Sequence, residues 1–553
     1  MACLEYAAPR EFRRAVQAVE DRSDDCWKLL RLLNQPRNVA TWALLTGMAL
    51  ELELTQQRNG ADSLRHRMAM ICWDRCTCGF SFIASHGKPA SKLITKYSWS
   101  GMLIQDAQFA LRVTKDYTDF LNIFPLWHKN WQRAELLADG RVRFIFERDS
   151  PQQRRVVAFQ QIFRPSTGLQ EASKSHRMNL SPNVQALFNE LISRTRTRGL
   201  GRKFEYQPPP DLISAVRPHF QRRLDDNFRH PESFQLGGYS LGEFKDFYVE
   251  FLTLCGIHEY ICYPWKEGGH PVPESSLVMV KPRNSWISQL TRLSGLPKET
   301  CDKMVADLTL DPRPGKATGM SIHPFVPLDS NNRELAVAPQ FPLAARTDDN
   351  ILRAYSYASP GAFSGENIQK ENILRRKLRA ANGLFNMDGP IDLPDGSTDI
   401  DLLIEDAPSS TLVFAELKWI RKPLKPPERL ERDRDVDKGI GQLKIVRNYA
   451  RAHPDFLKRT RRIAESISSY AHVYYLLVVC DHWFWVEPED GFAILDFQVF
   501  LARFAESTNL QATIADLLTY SWLPIEGQDF RVEFIPSAVN GAVIESPTFM
   551  PTR

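Results

Sequence analysis

Two strand-like runs joined by a short turn, within residues 397–419, constrain the fold of this chain more than any other feature. The sequence reads STDIDLLI, then EDAPSS, then TLVFAELKW. Apolar and β-branched residues predominate in both outer runs, as they do in buried strands. Pro and Ser in the connecting segment favour a turn. The pattern therefore predicts an antiparallel hairpin.

Segments on both sides of the hairpin predict a mixed α/β unit. ENIQKENILRRKLRAAN precedes it and GIGQLKIVRNYARAH follows it, both with helical periodicity, and AHVYYLLVVC is a further strand-like run. The predicted block is αββαβ, within a domain of residues 350–525. We interpret residues 526–553, rich in Pro, Gly and Ser near their end, as a peripheral tail.

The preceding residues are harder to assign. Segments such as TWALLTGMALELELTQQ predict a mostly helical N-terminal region of unknown role over residues 1–205, with one strand at RVRFIFERD. YQPPPDL at 206–212 predicts a linker, because Pro lacks a backbone donor and disfavours helix before it. A small helical or winged-helix-like domain is predicted for residues 210–345. The fold class is thus α+β multidomain.

A helix-turn-helix outline lies in this middle domain. WISQLTRLS and KETCDKMVADLTL read as two helices joined around Gly295, with Pro297 at the start of the second. Such a pair can read the major groove or act only as a packing module. The second helix carries three acidic residues and two lysines: Glu299, Asp302, Asp307, Lys298 and Lys303. Because phosphates would be repelled by this slightly acidic helix, we favour the packing module.

Charge and cysteine content limit the class of protein. The formal net charge of +4 over 553 residues predicts that any nucleic-acid surface is a local patch. The first residues lack the layout of a signal peptide, and no apolar run approaches the ~18 residues of a membrane helix. Nine cysteines at irregular spacing fit a reducing compartment. The sequence therefore predicts a cytoplasmic protein with no membrane association.

Two groups of potential zinc ligands were weighed. One contains Cys72, Cys76 and Cys78 with His66 and His86, and the other contains Cys255, His258 and Cys262. Neither has the spacing of paired C-x-x-C knuckles, and free Cys is common in cores. The spacing argues against structural zinc. No G-x-x-x-x-G-K-[ST] loop occurs either, so any NTPase activity would require a separate subunit.

The hairpin carries the candidate catalytic residues. Glu416 and Lys418 are two apart on one predicted strand, so their side chains leave the same face about 6–7 Å apart, while Ala415 and Leu417 face a core. Charges on so apolar a strand are costly unless they are paired or bind something. Asp401, with Asp399 as the competing carboxylate of the first strand, completes the candidate set, and we prefer Asp401 as the deeper of the two.

Two carboxylates at one place suit a hard divalent cation. Mg²⁺, or Mn²⁺, prefers oxygen ligands and takes one or two protein carboxylates, with water and substrate phosphate supplying the rest. Asp401 and Glu416 supply that set, and the backbone carbonyl of Leu417 would add a third oxygen. Lys418 would orient the attacking water and offset charge that develops in the transition state. The chemistry indicated is phosphodiester hydrolysis.

The flanking helices agree with this placement. Glu371 shares a helical face with Leu374 and Leu378, so it is either a further metal or water ligand or an i,i+4 partner of Arg375. In the downstream helix, two sets of residues have helical spacing. Lys438, Gln442 and Tyr449 form a face that can be directed at the site, which predicts Gln442 as a catalytic residue and Lys438 and Tyr449 as nucleic-acid contacts. Lys444, Arg447 and Arg451 form a basic stripe that either contacts phosphates or is solvated.

This constellation resembles the PD-(D/E)XK nuclease superfamily, over about a quarter of the chain. The family's helix glutamate falls on Glu371, its metal aspartate on Asp401, its glutamate on Glu416 and its lysine on Lys418. Gln442 and Tyr449 look similar to the Gln/Tyr signature of RecB-type members. Ile400 replaces the proline of the "PD" motif. The resemblance implies an αβββαβ restriction-endonuclease-like sheet.

The sequence therefore predicts a Mg²⁺- or Mn²⁺-dependent nuclease, with DNA favoured over RNA, in a restriction-like or anti-phage role by analogy. Members of this fold often act as homodimers or in larger complexes. Two alternatives stay open. One is a catalytically silent nucleic-acid-binding or scaffolding protein, and the other is a nuclease active only with a partner. The charged, Pro-containing segment 420–437 is predicted to be a mobile loop.

Overall fold

The structure is a computed structural model that describes residues 10–59, 77–90, 100–146, 150–163, 181–198, 203–228, 230–267, 276–313, 319–329, 331–345, 347–358, 364–420, 426–481 and 492–552. It is a mixed α and β protein, which confirms the predicted class at that level. Among the helices described, none combines the length and the apolar character needed to cross a membrane.

The described part of the N-terminal region consists mainly of helices, and its role as a separate domain stays a prediction. Its helices are α1 (Arg10–Asp24), α2 (Arg37–Asn59), α3 (Cys78–His86), α4 (Gly101–His128), α5 (Pro151–Ala158) and α6 (Pro182–Arg194). Its strands are β1 (Gln132–Leu136), β2 (Val142–Phe146), β3 (Arg196–Arg198) and β4 (Lys203–Glu205). Helix α2 packs on α4 through Gly47, where a Cβ would lie 3.3 Å from that of Ala107. Its apolar sequence therefore makes a central, almost wholly buried helix.

The middle region combines helices with short strands. Its elements are α7 (Pro210–Asn227), β5 (Gln235–Leu236), β6 (Tyr239–Ser240), α8 (Leu241–Glu267), β7 (Met279–Pro282), α9 (Arg283–Ser294), α10 (Lys298–Asp307), β8 (Val326–Pro327), β9 (Glu334–Val337), α11 (Gln340–Ala344) and α12 (Thr347–Ala358). The sheet order is β7-β9-β8. Gly295 ends α9 with a φ of +73°, which a residue without a Cβ adopts readily, so the predicted helix-turn-helix outline is confirmed.

The packing of α10 accounts for its charges. Cys301, Met304 and Val305 are buried, and Lys303 lies 3.4 Å from the Asp307 carboxylate and over the ring of Tyr239. Lys303 is thus engaged within the protein. Helix α6 shares the same core through Phe188 and Leu191, so the packing unit begins before the predicted linker.

The C-terminal part contains the predicted succession of helix, strands, helix and strand. Its elements are α13 (Ser364–Ala381), β10 (Asn386–Asp388), β11 (Ile391–Asp392), β12 (Asp399–Ile400), β13 (Leu402–Asp406), β14 (Thr411–Ile420), α14 (Pro426–Ala452), α15 (Phe456–Arg459), β15 (His472–Asp481), β16 (Ala493–Asp496), α16 (Phe497–Ala505), α17 (Leu510–Leu518), β17 (Phe530–Val539) and β18 (Ala542–Pro551). Five strands form one sheet in the order β10-β13-β14-β15-β16. Strand β14 is antiparallel to β13 and parallel to β15.

The last hairpin corrects the prediction of a peripheral tail. Strands β17 and β18 belong to the sheet β1-β2-β18-β17, in which Ile544 pairs with Val142. Glu545 is buried and forms ion pairs with Arg141 and Arg143. The Pro and Gly content suggested a loose end, but Ala542 and Ile544 of β18 pack in the core of the N-terminal helices. The described part of the N-terminal region and the last hairpin therefore form one packed unit.

Candidate active site

Asp401 lies immediately before the first residue of β13, at the open end of the hairpin. Pairing between β13 and β14 begins at Leu402 and Ala415, and Asp401 occupies the bend just before it. Its carboxylate oxygen Oδ2 accepts a hydrogen bond from the backbone N–H of Leu417 at 2.9 Å. The predicted position of Asp401 deep in a strand is thus wrong in detail. At this bend the Asp401 carboxylate, rather than a backbone carbonyl, accepts the hydrogen bond from β14. The side chain is therefore held directly against β14.

Glu416 and Lys418 leave the same face of β14, as predicted. The ammonium of Lys418 donates a hydrogen bond to Glu416 Oε1, and Glu416 is 2% exposed. Ala415 and Leu417 face the opposite side, where they pack in the core under α13 and α16. Asp399, the competing carboxylate, is only half-buried on β12. The structure therefore brings together the three residues predicted as the catalytic centre.

Helix α13 contributes a buried arginine whose role the sequence does not reveal. Arg375 Nη1 donates to the backbone oxygen of Asp401 at 3.1 Å and approaches its carboxylate oxygen Oδ1 at 3.4 Å, while Nη2 donates to Asn372 at 2.8 Å. Because the charge of Arg375 also acts to lower the pKa of Glu371, both alternatives for Glu371, ligand or partner of Arg375, stay open. An Arg four residues after a core-facing Glu is the only sequence signal for this contact.

Burial and mutual repulsion raise the pKa values of the carboxyl groups of the site. Burial, then the charge of Asp401, raises the pKa of Glu416 to about 8 and that of Glu371 to about 7. Burial also raises the pKa of Asp401, although the Leu417 N–H opposes that shift. For Lys418, burial acts to lower the pKa, but Glu416 and the other carboxylates outweigh it and the pKa is raised. Lys418 is therefore a cation at neutral pH, and Glu371 can hold a proton there.

These groups fit a divalent cation of the magnesium type. Two buried carboxylates lie in one place beside the Lys418 ammonium and the Arg375 guanidinium, and a divalent cation would further relieve the repulsion that raises their pKa values. Within the ranges described, no group of three His, Cys, Asp or Glu side chains forms a ready metal cage. Asp401 and Glu416 would thus hold the ion, with remaining oxygens from the Leu417 carbonyl, water and substrate.

Two glycines allow close approach at the site. At Gly389, with a φ of +135°, a Cβ would overlap the backbone oxygen of Asp401. At Gly439 of α14, a Cβ would lie 2.8 Å from Leu477 and 3.4 Å from the Cε of Lys418. Helix α14 therefore packs directly over the face that carries Lys418. The Gly-Pro pair before the hairpin was the available signal for the first of these glycines.

Replacing Gly389 by Ala should displace Asp401. The Cβ would strain the left-handed backbone and push on the Asp401 carbonyl, for which we expect a loss of stability of about 1–3 kcal/mol and weaker metal binding. Thermal unfolding and Mn²⁺ titration measure these effects. Gly396 is the matched control, since it has a φ of +70° but no atom within 4 Å of its Cβ position. Equal metal affinity of Gly389→Ala, Gly396→Ala and wild type would contradict the account.

The residues predicted to share one face of α14 have different surroundings in the structure. Gln442 Nε2 donates to Thr398 at 3.4 Å, and its buried Oε1 has no hydrogen-bond partner within the part of the chain that is described. Lys438 is exposed, next to Gly439. Tyr449, roughly 15 Å further along the helix than Gly439, packs edge-on against Phe456. Gln442 thus contacts the segment just before Asp401, whereas Tyr449 contributes to packing.

The basic stripe of α14 also runs away from the site. The guanidinium of Arg447 lies 4.1 Å from the ring centroid of Phe492, and Lys444 is half-buried. Arg451 is exposed near the end of the helix, roughly 18 Å along it from Gly439. Phosphate binding by this stripe stays a prediction, and its far end, at Arg451, lies about three helical turns beyond Gly439.

Two further expectations are changed by the structure. The segment 420–437, predicted as a mobile loop, is helical from Pro426 onward, where its charged residues form the first turns of α14. Residues 421–425 lie outside the described ranges. In the second candidate zinc group, both ring nitrogens of His258 are engaged, by the Tyr206 hydroxyl and the Ser276 carbonyl, each at 2.6 Å. Of the first group, His66, Cys72 and Cys76 lie outside the described residues.

Comparison with protein-family models, curated proteins and solved structures returned no match. The functional proposal therefore depends on the geometry of the hairpin and its helices.

The raised pKa of Glu416 predicts a pH dependence of stability. Its folded pKa of about 8 exceeds the ordinary 4.5, so the stability it contributes is complete below about pH 4.5 and is lost as pH rises through about 8. In metal-free protein, the urea midpoint should fall over this window by an amount worth a few kcal/mol at most, at about 1.4 kcal/mol per pKa unit. Glu416→Gln should flatten the fall. Identical pH profiles for both proteins would refute this assignment.

Proposed function

We propose that residues 350–525 form a divalent-metal-dependent nuclease domain that hydrolyses phosphodiester bonds, with DNA as the favoured substrate. The observation that carries this proposal is the convergence of Asp401, Glu416 and Lys418 on one buried edge of β14, tied together by the Leu417 N–H and the Lys418 ammonium. The αβββαβ order and the mixed sheet support the resemblance to the PD-(D/E)XK superfamily. Ile400 stands where the family motif has proline, but that position is not a proposed metal ligand.

Each side chain has a role that follows from its environment. A bound Mg²⁺ or Mn²⁺ would supply Lewis-acid activation of the scissile phosphate and a more acidic water. Asp401 and Glu416 would hold that cation. Lys418, protonated at neutral pH, donates a hydrogen bond and a positive charge to the oxygens on which charge develops. Glu371, with a pKa of about 7, accepts a proton from water near neutral pH.

Cleavage assays test the proposal. Purified full-length protein is incubated with supercoiled plasmid and with linear duplex in Mg²⁺ or Mn²⁺, beside Asp401→Asn and Lys418→Ala. We expect wild type alone to degrade DNA, and the two substrates to separate endonuclease from exonuclease action. Equal cleavage by all three proteins would overturn the assignment of these residues.

A partner-dependent nuclease is the second candidate, and one contact favours it. His230 of the middle region stacks on Trp419 with ring centroids 4.7 Å apart, and Trp419 follows Lys418 in β14. The middle region thus contacts the strand that carries the site, where a partner or substrate could alter its position. A purified chain that is silent, and cleaves after a partner is added, would support this form of the proposal.

A further inference from the structure

We propose that the exposed edge of α13, carrying Arg376, Lys377 and Arg379, binds the phosphate backbone of the nucleic acid and leads it to Asp401 and Glu416. The inference rests on the proposed nuclease function and names its substrate-contact surface. Arg376 and Arg379 are exposed and Lys377 is half-buried. Within the described residues, none of the three forms an ion pair with a carboxylate. They are cations available to an anionic ligand.

Helix α13 is already a wall of the site. Glu371 interacts electrostatically with Asp401 and Lys418, and Arg375 donates to Asp401. Because Arg379 follows Arg375 by four residues, it lies near the same side of the helix, about 6 Å further along. The basic edge is therefore continuous with the residues that hold the catalytic aspartate.

Arg379 is hydrogen-bonded to the backbone segment that contacts Asp401. Its Nη2 donates to the carbonyl of Gly389 at 3.2 Å, and Gly389 abuts the backbone of Asp401. The neighbouring carboxylate of Asp388 is paired with Arg462 at 2.6 Å, so it does not neutralise Arg379. A guanidinium has five N–H donors, and one bond to a carbonyl leaves donors for phosphate.

Lys377 extends the basic edge of α13 toward β14. Its ammonium lies 5.9 Å from the ring centroid of Trp419, the residue that follows Lys418. The cations of α13 thus contact Gly389, which abuts Asp401, and Trp419, the chain neighbour of Lys418. A polyanion approaching Asp401 and Glu416 would be repelled unless cations hold its backbone nearby, and phosphate contacts of this kind set the position of the strand.

Other basic surfaces fit this role less well. In α14, Arg447 covers Phe492 and Arg451 lies far along the helix. In α10, Lys303 is engaged by Asp307. The edge of α13 combines exposure, freedom from carboxylate partners and direct contact with the Asp401 loop.

Salt-dependent binding tests the proposal without cleavage. A labelled DNA duplex and an RNA duplex of the same sequence are titrated with full-length protein in EDTA by fluorescence anisotropy, at several salt concentrations. The variant Arg376→Gln/Arg379→Gln should weaken binding and reduce the slope of log K against log[salt] by about 2, since each lost phosphate contact contributes about 0.9. The duplex that shows the change identifies the nucleic acid. Arg13→Gln/Arg14→Gln, which removes two exposed charges from α1, is the control.

The outcomes separate the two proposals. A slope unchanged in the α13 variant, or lowered equally by the control, overturns the inference even if wild type cleaves DNA. A reduced slope in a protein that never cleaves supports the phosphate surface and counts against the nuclease proposal. Wild type that binds neither duplex overturns the surface outright.

Discussion

Deletion of residues 526–553 is expected to unfold the N-terminal region, although these residues follow the candidate nuclease domain by sequence. The deletion removes β17 and β18, whose buried apolar side chains are Phe530, Val539, Ala542, Ile544 and Phe549. At about 1.5–3 kcal/mol for each large side chain, the loss is comparable with the whole stability of a domain, about 5–15 kcal/mol. Near-UV circular dichroism and limited proteolysis measure the result.

Single substitutions in the same hairpin distinguish packing from mere chain length. Ile544 is 0% exposed and Ile535 is 40% exposed. Ile544→Ala should lower the free energy of unfolding by about 2–5 kcal/mol, whereas Ile535→Ala should change it by less than about 0.5 kcal/mol. A truncated chain with native circular dichroism, or two alanine variants of equal stability, would show that the hairpin is peripheral after all.

Replacing Lys418 by Met should lower the single-turnover cleavage rate by about 10²–10³-fold, the usual effect of removing one donor that stabilises transition-state charge. Because Lys418 is not a proposed metal ligand, the variant should still bind Mn²⁺. Lys418→Arg should restore little, since a planar guanidinium differs in geometry from an ammonium and Gly439 leaves limited space beside the Lys418 chain. Rapid-quench cleavage of a labelled duplex measures these rates.

Lys458→Met is the matched control for this experiment. Lys458 is an exposed lysine of α15 that pairs with Glu465 at 3.2 Å, so the substitution removes the same charge and an ion pair that includes none of the proposed site residues. It should cleave as wild type does. Wild-type rates in Lys418→Met, or an equal loss in Lys458→Met, would remove Lys418 from the proposed chemistry.

The hairpin could be predicted from sequence because its information is local. Alternating contacts along TLVFAELKW place Glu416 and Lys418 on one face whatever else the chain does, and the structure confirms this. The position of Asp401 at a bend was not predictable in the same way. Its conformation depends on the Leu417 N–H and on Arg375, which are 16 and 26 residues away.

Long-range pairing explains the other differences. Strand β18 pairs with β2 across about four hundred residues of sequence, as the Glu545–Arg143 contact spans 402 residues, and no periodicity within either segment encodes that partnership. Segment 426–437 has a composition typical of a solvated loop, but its register with Gly439 and Ile440 lets it extend the helix that packs on β14 and β15. Local composition therefore gave the wrong prediction for β18 and for segment 426–437.

Mn²⁺ binding tests the central claim, that Asp401 and Glu416 hold a catalytic cation, most directly. Electron paramagnetic resonance counts free Mn²⁺ in solutions of wild type, Asp401→Asn and Glu416→Gln, each a near-isosteric variant. We expect wild type to bind Mn²⁺ and both variants to lose more than the roughly tenfold affinity that removal of an outer-shell partner costs. Equal Mn²⁺ affinity in all three proteins, or no binding by wild type, would contradict the account.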